Sequence, residues 1–298
     1  MLKTTASRLA GFAAGLALIG GGAAAVGAAT NPTPPLQDCM RLALADAGAA
    51  DAMHSTPGEP MVAPVPGADG LRTRLAGLTL RPRTHTLPAG AATPWHFRVV
   101  DCDGKPVTAY TPETTKLLHL IVVRSDLTAY QHLHPRLAPD GTWSVDIDAS
   151  RPGRYRAIAD FVTRDRKFVL GTTLTVPGRA TRTPLPAPSD RGSVDDYDVE
   201  LQRPAVVRAG EEAQLTFRIS RRGRPVSGLQ PYLGAYGHLV ALHVPELAYS
   251  HVHPNGEDRS AGAVTFDTEL PARGTYRLFL QFRTHSRVHT VAFTQTAS

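Results

Sequence analysis

The sequence predicts an all-β protein: two tandem antiparallel sandwiches of immunoglobulin-like or cupredoxin-like type, preceded by an apolar helix and a flexible stalk. The length of 298 residues is enough for two cores of ordinary size. The 26 Gly and 25 Pro residues separate short segments that are rich in β-branched and aromatic residues, as in proteins made of strands and turns. The two halves of the chain also align with each other, which indicates an internal repeat.

The N-terminal 30 residues have the pattern of an export signal. Lys3 and Arg8 precede an uncharged stretch, residues 9–30, built mainly from Ala, Gly, Leu and Val. Small residues at 26–28 suit cleavage, whereas an apolar run above about 18 residues is long enough to remain in the membrane. The length of the run favours a retained anchor, with residues 31–298 outside the cytoplasm. We therefore expect an extracytoplasmic protein that is either membrane-anchored or secreted.

Residues 31–70 are rich in Pro, Ala and Gly and predict the flexible stalk. Cys39 lies in this segment, and the second of the chain's two cysteines is Cys102. An oxidising compartment permits the two thiols to pair if Cys39 packs beside Cys102.

Composition gives no support to nucleic-acid binding or catalysis. The net charge of +6 comes from arginines scattered along the chain, and no basic segment is interleaved with aromatic residues. The sequence has no Gly-x-Ser-x-Gly, His-Glu-x-x-His or Cys-x-x-Cys motif and no glycine loop that opens a helix. We expect neither a nucleic-acid partner nor an enzyme.

A second Pro-rich segment, residues 178–191, is predicted to link the two copies of the repeat, 71–177 and 192–298. The register of the repeat holds over several blocks. The matched pairs are Phe97-Arg98-Val99 with Phe217-Arg218-Ile219, His132-Leu133-His134-Pro135 with His251-Val252-His253-Pro254, and Gly153-Arg154-Tyr155-Arg156 with Gly274-Thr275-Tyr276-Arg277.

Six histidines occupy matching positions in the two copies and form the candidate site. Residues two apart on a strand face the same side, so each His-x-His pair points one way. A hairpin that turns near Asp126 would place the third histidine of the first copy across from Leu133, close to both members of the pair. Three neutral imidazoles with one open position suit copper or zinc, so we expect one divalent metal site per domain. The candidate ligands are His119, His132 and His134 in the first copy, and His238, His251 and His253 in the second.

Two other interpretations of the histidines remain open. A histidine at a strand end often bonds to a backbone carbonyl and fixes a corner, and duplication copies such a corner with the core. The loops of a sandwich also serve adhesion and partner binding. The geometry separates these interpretations, because metal ligands converge on one point whereas structural histidines each bond to a carbonyl. His243, His285 and His289 are additional candidate ligands in the second copy.

Three segments, 118–124 (LHLIVVR), 131–135 (QHLHP) and 230–242 (QPYLGAYGHLVAL), resemble exported actinobacterial two-domain proteins of unassigned function, some of which are labelled heavy-metal-binding. The resemblance covers nearly all of residues 71–298 and implies the same architecture. The domain is also similar to the copper-handling β-sandwiches of the bacterial periplasm, which bind metal through His and Met.

The methionines depart from that copper-handling pattern, because all four precede residue 62. A site made of histidine alone favours Cu(II) or Zn(II). We therefore expect an extracytoplasmic copper- or zinc-binding or chaperoning protein whose partners are the metal ion and another exported or membrane protein. The alternative is a non-metal adhesion or partner-binding module.

Overall fold

A computed structural model describes residues 64–65, 67–252, 254–258 and 260–298. These ranges form nineteen strands, and every strand pairing in them is antiparallel. They contain no helix that is long and apolar enough to cross a membrane. The predicted N-terminal helix, Cys39 and most of the predicted stalk lie outside the described residues.

The first copy, domain 1, has two sheets that enclose one core. We call the five-stranded sheet its outer sheet and the four-stranded sheet its inner sheet. In spatial order, the outer sheet consists of β1 (Arg74–Leu75), β2 (Leu78–Pro82), β3 (Gly90–Val100), β7 (Thr142–Ala149) and β6 (Arg136–Leu137), and the inner sheet of β5 (Gln131–Leu133), β4 (His119–Arg124), β8 (Gly153–Thr163) and β9 (Arg166–Val176).

The second copy, domain 2, repeats this strand order, which confirms that the two halves share one topology. Its outer sheet consists of β10 (Arg191–Val194), β11 (Tyr197–Gln202), β12 (Glu212–Arg221), β17 (Ala263–Glu269) and β16 (Pro254–Asp258), with β13 (Arg224–Pro225) on β12, and its inner sheet of β15 (Ala248–Val252), β14 (Gly237–Val244), β18 (Gly274–Thr284) and β19 (Arg287–Ala297).

Alternation along the outer strands explains why each outer sheet has one buried face. In β3, Trp95, Phe97 and Val99 point into the core, and His96 and Arg98 between them point outward. Trp143 of β7 completes a stacked aromatic layer, with its ring 6.2 Å from that of Phe97. Burying each of these large side chains contributes about 1.5–3 kcal/mol or more to folding.

The two inner sheets pack against each other, and this contact determines the position of the candidate site. Strand β4 is buried along its whole length, because its two faces lie in different cores. Ile121 and Val123 face domain 2, where they join a cluster that includes Val240 and Leu242. Tyr130 stacks on Phe279 of domain 2 with ring centroids 4.0 Å apart. The domains are therefore not separated by their linker.

The linker is held against domain 1 by a buried ion pair. The side chains of Arg124 and Asp126 are 6% and 3% exposed, and Arg124 Nε donates to Asp126 Oδ1 over 2.9 Å. Asp126 Oδ2 accepts from the backbone N–H of Thr183, and Arg124 Nη2 donates to the carbonyl of Thr181, both over 2.9 Å. Leu185 packs against the interdomain cluster. Residues 181–185 therefore form part of the interface.

The last residues of the predicted stalk also pack on the domains. Val65 is buried in the core of domain 1, and its N–H donates to the carbonyl of Lys167 over 2.9 Å. The carbonyl of Asp69 accepts from the N–H of Tyr249 in domain 2 over 2.8 Å. The prediction of a flexible segment up to residue 70 is therefore wrong for these residues. Cys102 of domain 1 is disulfide-bonded. Cys39, the stalk cysteine expected to pair with it, lies outside the described residues.

Replacing Asp126 by asparagine should destabilise the chain, because it leaves the Arg124 guanidinium buried without its counter-charge. Removing one partner of a buried ion pair costs about 3–5 kcal/mol. Urea unfolding of the full chain, followed by tryptophan fluorescence, measures this loss. Asp140→Asn is the matched control, because the Arg98–Asp140 pair is 44% and 59% exposed and should matter little. Equal losses in the two variants would contradict the prediction.

The buried carboxylate of Asp126 should also make the stability of the chain sensitive to acid. Burial raises the pKa of Asp126, but the hydrogen bonds from Arg124, Thr128 and Thr183 outweigh burial and hold this pKa well below its usual range. The folded state thus binds this proton less readily than the unfolded chain, whose Asp titrates near 3.9. The stabilisation that the ionised Asp126 contributes is fully present above about pH 5 and is lost as pH falls. The unfolding free energy should decline less between about pH 5 and 3 in Asp126→Asn than in the wild type.

Candidate metal centre

Three histidines converge on the face of the domain 1 inner sheet that meets domain 2. His119 begins β4, His132 lies in β5, and His134 follows β5. One ring nitrogen from each lies within 4.8 Å of those of the other two. The ring centroids are 4.9–5.2 Å apart. The structure thus brings together the three side chains whose spacing predicts convergence, and we call them the triad.

The strand register that creates the triad differs by one residue from the predicted register. Leu120, rather than His119, lies opposite Leu133, and Ile121 lies opposite His132. The predicted turn near Asp126 is a longer loop in which Leu127 and Ala129 adopt left-handed φ angles of 63° and 51°. The three histidines therefore lie on the same side of the inner sheet as Ile121. This side meets domain 2, and the opposite side meets the core of domain 1.

Hydrogen bonds outside the triad determine which ring nitrogens face inward. In the tautomer that leaves Nδ1 free to coordinate, His119 Nε2–H donates to the carbonyl oxygen of Glu113 over 3.0 Å, and Thr114 Oγ1 lies 2.8 Å from the same nitrogen. His132 Nδ1–H donates to Gln281 Oε1 of domain 2 over 2.8 Å, while the amide nitrogen of Gln281 donates to Thr290. Hydrogen bonds of this kind, made by the ring nitrogen that faces away from the metal, are typical of histidines that ligate metal.

The two inward nitrogens, His119 Nδ1 and His132 Nε2, are 2.9 Å apart. In the tautomers that carry hydrogen on the outer nitrogens, both inward nitrogens are acceptors and can bind a cation between them. Two ligands of a tetrahedral zinc ion, each about 2.05 Å from the metal, are about 3.3 Å apart. The separation in the triad is therefore close to that of a coordination pair.

His134 supplies the third nitrogen. Its Nε2 is buried and has no hydrogen-bond partner among the described residues. Buried ring nitrogens without a partner are rare in folded proteins. A bound cation near the other two nitrogens would satisfy it.

The electrostatic surroundings keep the triad uncharged. Burial, followed by repulsion from neighbouring imidazoles, lowers the pKa of His132 well below its usual value and that of His134 to about 3. Burial also lowers the pKa of His119, although Asp160 opposes the shift. Since only neutral imidazole coordinates metal, the triad is in its ligand form at neutral pH.

A charged cluster borders the triad. Asp160 of β8 lies opposite His119 in the strand ladder and accepts a hydrogen bond over 2.8 Å from the hydroxyl of Tyr249 in domain 2. Lys167 Nζ lies 2.8 Å from Glu113 Oε1 and 3.5 Å from Asp160 Oδ2. Burial lowers the pKa of Lys167, but these two carboxylates outweigh burial and raise it. Glu113 thus connects this cluster to His119 through its carbonyl.

Of the second predicted triad, the structure describes one side chain. His238 in β14 is the equivalent of His119, and its ring centroid lies 6.4 Å from that of His132. His238 Nε2–H donates to the carbonyl of Tyr232 over 2.7 Å. His251 belongs to β15, where its backbone lies opposite Val240 of β14. Its side chain and all of His253 lie outside what the structure describes.

The additional histidines of domain 2 do not join the triad. His289 bonds to Asp195 over 2.8 Å and to Thr284 over 3.0 Å. His243 Nε2 contacts the carbonyl of Arg273, and His285 lies 3.3 Å from the hydroxyl of Tyr197. These contacts are typical of structural histidines.

Sequence reasoning missed the partners that orient the triad. The alignment of residues 153–156 with 274–277, continued along the strand, places Asp160 and Gln281 at equivalent positions, one beside His119 and the other beside His238. This signal is present in the repeat. It becomes informative only once β4 is known to pair with β8 and the inner sheets are known to face each other.

The fold and the site define a two-domain β-sandwich protein with a histidine cluster between its inner sheets. The chain belongs to the family described as a domain of unknown function (DUF8832), which matches residues 73–178 and again 192–298. The double match agrees with the internal repeat and with the predicted two-domain architecture. The family description says nothing of metal or of a bacterial group.

No curated protein matches the chain. Among solved structures, a DUF4426 family protein from Pseudomonas aeruginosa is 13% identical with a TM-score of 0.28, over 36% of this chain and 91% of that protein. The Escherichia coli adhesin FdeC is 14% identical with a TM-score of 0.26, over 74% of this chain and 64% of that chain. Yersinia pseudotuberculosis InvD is 13% identical with a TM-score of 0.25, over 74% and 58%.

Gln281→Ala should lower the stability of the chain, because the variant removes the interdomain hydrogen bond and leaves the N–H of His132 buried without an acceptor. Loss of one partner of a buried hydrogen bond costs about 1–3 kcal/mol. Urea unfolding of the full chain measures the change. Gln214→Ala is the control, since Gln214 bonds to Asp267 on an exposed face and its loss should change stability by less than about 0.5 kcal/mol. An unchanged midpoint for Gln281→Ala would contradict the interdomain bond.

Proposed function

We propose that this chain is an extracytoplasmic metal-binding protein that holds one divalent copper or zinc ion in the triad of His119, His132 and His134. The observation that carries the proposal is the pair of inward nitrogens 2.9 Å apart, each on a ring whose other nitrogen is bonded outward. An ion at this point would form coordinate bonds with both inward nitrogens. It would also satisfy the buried Nε2 of His134.

The donor set fits the proposed metals. Three neutral imidazoles suit Zn(II) or Cu(II), with the remaining position taken by water or by a further side chain. His238 is the described histidine of domain 2 nearest to this position, with its ring centroid 6.4 Å from that of His132. A site enclosed between two sheets is better suited to holding metal than to turning over a substrate, so the proposed role is binding or chaperoning rather than catalysis.

Domain docking is part of this proposal. His132 is oriented by Gln281 of the other domain, so binding at the triad would depend on both domains. A location outside the cytoplasm is supported by the disulfide at Cys102, because such bonds persist mainly in oxidising compartments. The anchor at residues 9–30 and a further exported or membrane partner remain part of the proposal.

A second candidate function is adhesion or partner binding without metal, with the histidines in a structural role. The observation that favours it is the bond from His119 Nε2–H to the carbonyl of Glu113, which is the contact that a structural histidine makes. In that case removing a triad side chain would lower stability and leave metal content unchanged.

His134→Ala separates these functions, because this ring has a buried nitrogen without a described partner. The purified full chain should bind about one equivalent of Cu²⁺ or Zn²⁺ at neutral pH, measured by calorimetric titration and elemental analysis. His134→Ala should lose that equivalent. Gln281→Ala should weaken binding roughly 10–100-fold, as does the loss of other residues that orient a metal ligand. His85→Ala, at an exposed histidine that bonds to Thr173, is the control and should bind like the wild type.

Spectroscopy adds a readout that stability does not affect. Cu²⁺ bound at the triad should show nitrogen hyperfine coupling in its electron paramagnetic resonance spectrum, and His134→Ala should change that pattern. If the folded wild type binds neither ion, or if His134→Ala and His85→Ala retain the same metal content, the metal proposal fails and the structural role is favoured.

A further inference from the structure

A basic groove crosses the outer sheet of domain 1, on the face away from domain 2. Side chains of β2, β3 and the residues around them line it, among them Arg81, Arg83, His96 and Arg98, with Asp140 at one side. The three arginines are exposed. We call this feature the arginine groove, and it is separate from the triad.

The charges in the arginine groove are only partly compensated. Arg81 lies directly opposite Arg98 in the β2–β3 ladder, and like charges in such cross-strand pairs are destabilising. Arg98 is bonded to Asp140 over 2.5 Å and to Thr142 over 2.9 Å. Among the described residues, the side chains of Arg81 and Arg83 have neither a hydrogen bond nor an ion pair. The groove therefore carries an excess of positive charge with free guanidinium donors.

Domain 2 shows that the fold does not require this arrangement. At the position equivalent to Arg81–Arg98, its outer sheet pairs Glu200 with Arg218, which are opposite charges. Gln202, opposite Thr216 in the same ladder, occupies the place of Arg83. The same sandwich thus pairs opposite charges in one copy and has three arginines against one carboxylate, Asp140, in the other.

We propose that the arginine groove binds phosphate groups. A guanidinium presents a planar fork of N–H donors that matches phosphate oxygens, and it stays charged at all physiological pH values. Arg81 and Arg83 are two residues apart on an extended segment, so their Cα atoms are about 6.6 Å apart and can engage neighbouring phosphates. Inorganic polyphosphate and the headgroups of anionic phospholipids share this chemistry.

The test converts the groove to the residues of domain 2. Binding of inorganic polyphosphate and of phosphatidylglycerol vesicles is measured with the full chain for the wild type and for the double variant Arg81→Glu/Arg83→Gln. The control variant Arg208→Glu/Arg179→Gln changes the net charge equally at two exposed positions outside the groove. The groove variant should bind at least tenfold more weakly, with a shallower dependence on salt, and the control should lose much less.

A further variant shows whether a loss of binding comes from the missing arginines or from a folding defect. Adding Glu200→Arg and Gln202→Arg to the groove variant builds the same arginine pattern on domain 2 and should restore binding. Groove-dependent binding of both probes identifies a general phosphate site, whereas groove-dependent binding of the vesicles alone assigns it to lipid headgroups. Equal loss in the groove and control variants, or no binding of either probe by the wild type, would overturn the proposal.

Discussion

The packing of the two inner sheets against each other is the constraint on which the rest of this structure depends. A strand in a free sandwich has one face in the core and one in water, but β4 and β14 are apolar on both faces. The contact between Ile121, Val123, Val240 and Leu242 removes both outward faces from water. The apolar part of this surface supplies the free energy that holds the domains together.

That contact places polar groups where water cannot satisfy them. Asp160 is bonded by Tyr249 from the other domain, and His132 by Gln281. Each bond joins side chains that are distant in sequence and satisfies a group that would otherwise be costly to bury. The histidine triad lies among these bonds, so its geometry is a property of the assembled pair of domains. The ion pair of Arg124 and Asp126 extends the same interface to the linker.

The two copies share one fold but differ in the charged and polar side chains outside the sandwich cores. Gln281 stands in domain 2 at the position of Asp160, and Val288 stands at the position of Lys167. Among the described residues, the buried charged cluster therefore exists in domain 1 only. On the outer sheets, Glu200 faces Arg218 where Arg81 faces Arg98. The sandwich core tolerates these changes because they fall on faces that do not contribute to it.

The sequence by itself determined the all-β class, the repeat and the convergence of the three histidines of domain 1. These follow from local rules: Gly and Pro interrupt strands, alternation separates the two faces of a strand, and residues two apart share a face. Only the tertiary structure decided which surface covers the triad, that Gln281 orients His132, and that β4 pairs one residue out of the expected register. Those outcomes depend on loop conformation and on contacts between distant segments, which no local pattern in the chain records.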